Sequence, residues 1–510
     1  MSIKIISLKV HVIQSHLETP FSFSQGWVNK RSATLVEINT NDGITGWGEA
    51  FCQGLEPPEI SAAVIESSLK ELIINENPLD IERIWFKMYN KTRDFGRKGS
   101  VISGISAIDI ALWDIAGKYY KKPIYQLLGG AFRNKIKPYA TGFYRSNGKD
   151  EAARLSDEAL KHYENGFDYM KIKLGFGVQD DINVMKSIQK VLNNKNCTFM
   201  VDTNHAYGVT EALELGYALE EFNLRWYEEP VVPENLEGYA YLRKKLKTPI
   251  AGGENEHTLY GFKDLLKLGC IDIAQPDIGS CGGITGVKHI SILAQSFGIE
   301  VNPHVWGSAV AQSASIHFIA SLPETNHSLF SRKPIFEYDQ TDHPFRKELL
   351  KTPIKIMNGY VPVQTSPGLG IEVNDEIIKK LLGQKFIDSD KTERPLTISD
   401  FLIISPYNAQ VNFLLERLPN GSRCGTIDRF QGQEAPITII SMTSSDVENL
   451  PRDKSFFFNR NRLNVAVSRG QCSSIVLLNP QLLEAPPKTL EEFKMINNFN
   501  KLLKYKIKTN

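Results

Sequence analysis

Residues 198–204, TFMVDTN, carry a short apolar run that ends on Asp202. At an interval of 26 residues, LRWYEEP (224–230) ends its apolar run at Glu228, and after another 26 TPIAGGE (248–254) closes on Glu254. Upstream, YMKIKLG (169–175) brings Lys171 and Lys173; downstream, DIAQPD (272–277), IEVNPHV (299–305) and PIFEYD (334–339) bring Asp277, His304 and Glu337. With KPYATG (137–142) these make eight strand candidates, and amphipathic stretches such as DDINVMKSIQKVL and GFKDLLKLG lie between many of them. Alternating strands and helices of this number predict an α/β chain built on a (β/α)8-type barrel, whose reactive groups sit where strands give way to loops.

The strand-end residues specify chemistry. Three carboxylates on neighbouring strands repel unless a cation joins them, and an all-oxygen set with room for water or substrate suits Mg²⁺ better than zinc. The alternative for any single acid is a cap on the helix that follows. Lys171 and Lys173 lie two apart in a strand and share one face. If that face is the barrel interior, burial and mutual repulsion are expected to lower the pKa of one and make it a base. Asp277 and His304 end successive strands, so the carboxylate can fix the imidazole tautomer. Counting strands places His304 diametrically across the mouth from Lys173. Two bases on opposite faces of a substrate suit removal and return of a proton at carbon. Glu337 is expected to donate a hydrogen bond to a substrate carboxylate as charge builds there.

The remaining sequence sets the frame. A chain of 510 residues exceeds one ordinary core. Its 42% apolar and 23% charged residues and net charge of +1 are those of a globular protein with no polyanionic partner implied. The N-terminus MSIKIISLKVHVIQ alternates like a strand and lacks the pattern of a signal peptide. No uninterrupted apolar run nears the roughly 20 residues that span a bilayer. The six cysteines form no CxxC pair, which argues against a zinc site or disulfide framework. A cytoplasmic location and no membrane partner are expected.

Residues 1–130 read as an α+β capping domain and 131–383 as the barrel, whose last stretch (353–383, with a short helix) returns to pack on the cap. The polar segment 384–396 reads as a linker and 397–510 as a separate α/β unit with strand candidates in DFLIISPYNAQ, PITIISMTS and SSIVLLNP. In the cap, the loop TPFSFSQGWVNKR offers Phe21, Phe23, Trp27 and Arg31 as lid residues over the substrate, with core packing the equal alternative for the aromatics.

Residues 1–383 resemble the enolase superfamily, in its mandelate racemase/muconate lactonizing subgroup. KIK is similar to the family's KxK base motif, with Lys173 in the place of the usual base. DTN, EEP and GGEN match the three metal-ligand strands, and Asp277 with His304 matches the dyad. PHVWGSAVAQ, IFEYDQTDHPFRKELL and PGLGIEVN look most like the acid-sugar dehydratases and galactarolactone cycloisomerases of that subgroup. The resemblance implies Mg²⁺-dependent abstraction of the proton next to the carboxylate of an acid sugar or its lactone, followed by β-elimination, in a homo-oligomer. Racemisation of a 2-hydroxy acid is the alternative on the same bases.

The tail resembles the second RecA-like domain of a superfamily-1, Upf-like helicase. ISPYNAQ, GTIDRFQGQE and RNRLNVAVSRG look like its motifs IV, V and VI; Gln433 and Glu434 match the coupling motif and Arg469 the arginine finger. No GxxxxGK[ST] occurs in the chain, so the loop and lysine that hold nucleotide phosphates are missing. The tail is expected to be dead as a motor, whether it joins two unrelated reading frames or binds nucleic acid or a partner. The missing loop and near-neutral charge favour the first.

Overall fold

The computed structural model describes residues 2–374 except 53–54, 56, 147, 149, 194, 325–327 and 329–330, and beyond them 377, 385–387, 393–395, 397–418, 421–430, 433–442, 465–477, 489 and 493–494. The chain divides into two compact units, Met1–Leu382 and Gly383–Asn510.

The first unit opens with a long antiparallel hairpin, β1 (Ile5–Phe23) and β2 (Gly26–Thr40), joined on its inner edge by β3 (Thr45–Ala50). Against this sheet lies the helix Ser100–Tyr120, apolar on every side and buried from Val101 to Leu112. A helix apolar all round belongs inside a core. By length and hydropathy it could cross a membrane, but 89% of its most apolar window is buried in the fold. Close approach needs glycine: a Cβ on Gly48 would stand 1.9 Å from the Ala107 carbonyl oxygen. Asp114 of this helix accepts from Trp47 N (3.0 Å) and from Leu369 N (2.8 Å), fastening β3 and the returning C-terminal stretch to one carboxylate.

After a short strand β4 (Lys135–Ile136) come the barrel strands: β5 (Pro138–Thr141), β6 (Tyr169–Lys173), β7 (Thr198–Asp202), β8 (Tyr227–Glu228), β9 (Ile250–Gly252), β10 (Ile273–Ala274), β11 (Glu300–Val301) and β12 (Phe336–Asp339). They form one eight-stranded sheet in the order β11-β10-β9-β8-β7-β6-β5-β12, and every neighbouring pair is parallel. Strand alternation sorts the side chains. Met170, Ile172, Phe199 and Val201 join the large core formed with the outer helices, while Tyr139, Met200, Trp226, Ala251, Ile273 and Ile335 make an inner cluster. Between β11 and β12 side chains bridge the seam: Ile335 N donates to Asn302 Oδ1 (2.8 Å) and Val305 N to Glu337 Oε2 (2.9 Å). Register aligns the strand ends, with Lys173 beside Asp202, Asp202 beside Glu228 and Asp277 beside His304.

The stretch after the barrel packs on more than the cap. A short strand β13 (Val361–Pro362) pairs antiparallel with β4, and Val361 and Val363 pack with Phe336 and Ile316 at the barrel. The short helix expected near residue 380 lies outside the described residues. In the second unit, β14 (Lys385–Ile387) pairs antiparallel with β15 (Glu393–Pro395), so the segment read as a linker carries a small strand pair. Beyond it, β16 (Phe401–Ile404), β17 (Arg423–Gly425), β18 (Ala435–Ser441) and β19 (Gly470–Leu477) form a parallel sheet in the order β17-β16-β18-β19.

Candidate active site

The ends of β7 and β8 and the turn after β9 bring three carboxylates together. One oxygen from each of Asp202, Glu228 and Glu254 lies within 4.8 Å of the others, and all three residues are buried. Glu228 is clamped from the other side, accepting at Oε2 from Trp226 Nε1 and Gln275 Nε2, both at 2.8 Å. Burial pushes its carboxyl up to about 7, with Asp202 and Glu254 adding to the rise against the pull of Lys171. Glu254 Oε2 is buried without a hydrogen-bond donor. Crowded carboxylates, one of them with an oxygen that makes no hydrogen bond and only an ion-pair contact to His304 Nε2 at 3.3 Å, fit a hard divalent cation. A fourth carboxylate, Glu229, stands beside them with its Oε2 also orphaned and its carboxyl held well above the usual range by burial, Glu254 and Asp202.

Both lysines of β6 face inward, and with the carboxylates free to pair with them neither is lowered as one was expected to be. Lys171 is wholly buried, with Nζ 2.7 Å from Glu228, 2.9 Å from Glu337 and 3.7 Å from Asp202. Lys173 Nζ lies 2.5 Å from Asp202 Oδ2 and 3.1 Å from Asn204 Oδ1. Burial works to lower both ammonium groups, but the surrounding carboxylates outweigh it and hold both above the ordinary lysine value. Mutual repulsion acts on Lys173 but is the smaller effect beside Asp202.

His304 sits in the turn after β11, with Nδ1 2.8 Å from Asp277 Oδ2. Its Nε2 lies 3.3 Å from Glu254 Oε2. Against the effect of burial, Glu254, Glu337 and the Asp277 bond raise the imidazole to about 10. The end of β3 covers the dyad: Phe51 N donates to Gly279 O (3.0 Å), Gly279 N donates to Asp277 Oδ1 (2.7 Å), and the Phe51 ring is 5.8 Å from His304. Sheet order places β11 three strands round the ring from β6, by way of β12 and β5, so His304 faces Lys173 obliquely rather than diametrically. Glu337 differs from expectation too. It accepts from Thr141 Oγ1 (2.8 Å) and Val305 N and pairs with Lys171; against burial, Lys171 and His304 hold its carboxyl far below the usual range. Both of its oxygens accept hydrogen bonds from the protein.

The β1–β2 hairpin reaches the mouth through its turn residues, with Phe21 and Arg31 packed behind them. Its turn touches the loop after β7, where Ser24 Oγ donates to Thr203 O (2.9 Å) and Gln25 Nε2 to Asn204 O (2.8 Å). Phe21 packs on Tyr144 with ring centroids 4.4 Å apart. Phe23 is buried in the cluster of Leu17, Val28, Tyr144 and Trp306, which favours the packing alternative for it. Arg31 is buried and paired with Asp339 at 3.0 Å, whereas Trp27 is 40% exposed.

Three residues near the reacting groups escaped the sequence reading. Asn204 bridges Lys173 to Glu254 through Nδ2 (3.4 Å). Its place two residues beyond Asp202 was the available signal. Glu49, wholly buried, accepts from Ser308 N (2.7 Å), Ser308 Oγ (2.5 Å) and Ala311 N (3.0 Å), so the cap holds the start of the barrel helix Ala309–Ser321. Tyr144, after β5, places its ring 5.8 Å from Lys173 Nζ. No spacing rule marks the last two.

The tail residues make local contacts in their own unit. Gln433 and Glu434 are exposed, bonded to Arg423 and Gln471. Arg469 Nε donates to Val465 O at 3.2 Å, within its own turn. Residues 431–432 and 460–464 of the helicase-like motifs lie outside the described residues.

Known families and proteins match parts of this chain. Residues 5–129 match the N-terminal domain of the mandelate racemase / muconate lactonizing enzyme family, residues 154–377 the enolase C-terminal domain-like family, and residues 372–481 an AAA domain. D-galactarolactone cycloisomerase of Agrobacterium fabrum is 39% identical over 375 residues, 74% of this chain and 98% of the relative. Arabinonate dehydratase of Saccharolobus solfataricus is 36% identical over 346 residues, 68% of this chain and 89% of the relative. The crystal structure of the 3,6-anhydro-D-galactonate cycloisomerase from Zobellia galactanivorans superposes with a TM-score of 0.67 at 36% identity, covering 75% of this chain and all 100% of that one. A racemase from Streptomyces coelicolor A3(2) with bound magnesium gives 0.67 at 26% identity, covering 74% of this chain and 99% of that one.

Proposed function

The chain belongs to the mandelate racemase / muconate lactonizing enzyme family of the enolase superfamily, and from that premise we propose that it removes the proton next to the carboxylate of an acid sugar or its lactone and eliminates the β-oxygen. The observation that carries this is that two bases lean on one carboxylate cluster, Lys173 on Asp202 and His304 on Glu254. Asp202, Glu228 and Glu254 would hold Mg²⁺, which when bound supplies positive charge where the substrate carboxylate gains electron density.

The protein's own groups do the proton work. Lys173 and His304 both lose a proton more readily once Asp202 and Glu254 are engaged elsewhere, because those carboxylates are what hold their protons on. One of the two takes the α-proton. The C–H electron pair becomes the new carbon–carbon double bond, and the β C–O bond breaks with its electrons. The other group gives its proton to the departing oxygen. In a dehydratase that oxygen leaves as water; in a cycloisomerase it is the lactone ring oxygen, which stays in the opened product. The enol then becomes a 2-keto acid. Asp277 keeps the His304 ring in one tautomer, and Lys171 balances Glu228 and Glu337 beneath the substrate. All the residues named in this chemistry lie in the first unit, Met1–Leu382.

Aldarates, aldonates and their lactones, offered with Mg²⁺ and assayed for 2-keto acid, test the proposal. Turnover of at least one is expected, with solvent deuterium entering the α-position in D₂O. α-Exchange with no keto acid from any substrate would replace elimination by racemisation, and no exchange at all would overturn both.

A further inference from the structure

Above Lys173 the roof of the site holds more hydrogen-bond donors than the protein satisfies. Tyr144 is 6% exposed, and its hydroxyl is buried without a hydrogen-bond partner. The ring is fixed between Phe21, at 4.4 Å, and Trp306, at 5.6 Å edge to face, so the hydroxyl cannot swing out to water. A buried O–H left unpaired is costly, and such groups in native proteins call for an explanation.

Behind this ring lies a charge imbalance. Arg31 is 2% exposed and stacks on Trp306 (4.4 Å) and Phe21 (5.0 Å). Arg31 and Arg346 share one carboxylate, Asp339, through Arg31 Nη2 at 3.0 Å and Arg346 Nη1 at 3.6 Å; Arg31 also donates to Thr341 Oγ1 and to the Asp342 carbonyl (3.4 Å), and its Nη1 is buried without a hydrogen-bond partner. Arg346 spends its other nitrogens on the carbonyls of Gly307 (2.8 Å) and Val305 (3.1 Å), in the loop that carries Trp306. Burial and the two arginines keep the neighbouring His343 neutral. Asp342 and Lys347 are exposed and pair with each other at 2.7 Å. Two enclosed guanidinium groups against one carboxylate leave one positive charge unanswered, beside an unpaired phenol.

We propose that Tyr144, backed by the Arg31–Arg346 pair, determines specificity for the far end of the substrate. It selects acid sugars whose far end is carboxyl-derived, a second carboxylate or a lactone carbonyl, over those that end in a hydroxymethyl group. The inference rests on the acid-sugar reading above. A carboxyl-derived end offers acceptor oxygens to the phenol and negative charge or a carbonyl dipole to the arginines. A hydroxymethyl end can accept one bond but leaves the charge unanswered, and a site built to pair such groups rejects the analogue that cannot.

The probes are 2-hydroxyadipate and 2,6-dihydroxyhexanoate, which differ only at the far end and, lacking a β-hydroxyl, cannot undergo elimination. They are titrated calorimetrically into the full-length Mg²⁺-loaded protein and into Tyr144→Phe, and kcat/KM is measured for galactarate and galactonate in both. Wild type is expected to prefer each diacid at least tenfold. Tyr144→Phe is expected to lose most of that preference through a higher KM for the diacid, with Mg²⁺ affinity and monoacid affinity within twofold of wild type. Equal affinity for both ends in wild type, or an unchanged preference in Tyr144→Phe, overturns the inference. Keto-acid formation in either case leaves the acid-sugar reading standing. Wild type that neither binds the probes nor turns over either sugar acid overturns the inference, and the acid-sugar reading falls with it only if the whole panel of aldarates, aldonates and lactones also gives neither keto acid nor α-exchange.

Discussion

The mouth of the barrel and the sheet of the C-terminal unit both carry residues that match functional motifs, and they use them differently. At the mouth, groups from strands far apart in sequence converge: Lys171 meets Glu228 and Glu337, and His304 meets both Asp277 and Glu254. In the C-terminal unit, Arg469 bonds within its own turn and Glu434 meets Gln471 on the surface. A motif becomes a site when long-range pairing leaves its members buried and mutually dependent. Matching words on exposed loops do not do this alone.

The comparison breaks most readily at the two bases. Lys173→Ala and His304→Ala are each expected to lower acid-sugar turnover by about 10²–10⁴-fold, the usual worth of a positioned proton-transfer group. Arg469→Ala should leave it unchanged. Near-wild-type rates in both base variants, or a loss in Arg469→Ala, would reverse the contrast. Next in size is Lys171→Met, which strands Glu228 and Glu337 inside the barrel. Breaking a buried pair by removing one partner costs about 3–5 kcal/mol, readable as a lower urea midpoint for the barrel transition. No shift would mean that those acids are already neutral.

Chelation offers a third test. Removing Mg²⁺ should abolish turnover, and adding it at a hundredfold over Kd should stabilise the barrel by about 2.7 kcal/mol. Glu254→Gln should blunt that stabilisation. An equal effect of Mg²⁺ on the variant's melting temperature would count against the triad.

The smallest effect lies away from the mouth. Burial pushes the Asp109 carboxyl up to about 7, although it accepts from Thr285 N at 2.9 Å. Against an unfolded value of about 3.9, the folded state binds the extra proton between those limits. Stability from this group is therefore full below about 4, falls as pH rises towards 7 and is level above. The slope is at most about 1.4 kcal/mol per pH unit. Asp109→Asn should flatten it, seen as a smaller difference between urea midpoints at pH 5 and pH 8 than in wild type. An unchanged difference would place the titration elsewhere.

Much of the barrel could be read in advance because its regularities are local. A 26-residue interval is one strand–helix–strand step, so Asp202, Glu228 and Glu254 had to end neighbouring strands. The alternation in YMKIK likewise put both lysines on one face. Charge balance was not legible, since the direction of the Lys173 shift depends on Asp202 standing 2.5 Å away and outweighing burial. Nor could the sequence order the mouth finely. Trp27 and Phe23 look alike as words, yet one is exposed and the other packed, because the hairpin register pairs Trp27 with Ser22 and Gly26 with Phe23, which turns the two rings to opposite faces.

Glu49 has a consequence for synthesis. Its carboxylate needs donors at Ser308 and Ala311, about 260 residues further along the chain. At about 5–20 residues per second, roughly 13 to 50 s pass on the ribosome before those donors exist. Through that time the edge of the cap sheet carries a buried-type acid with nothing to bury it. The cap of this enzyme therefore waits, open and in reach of chaperones, until the seventh barrel unit emerges to close it.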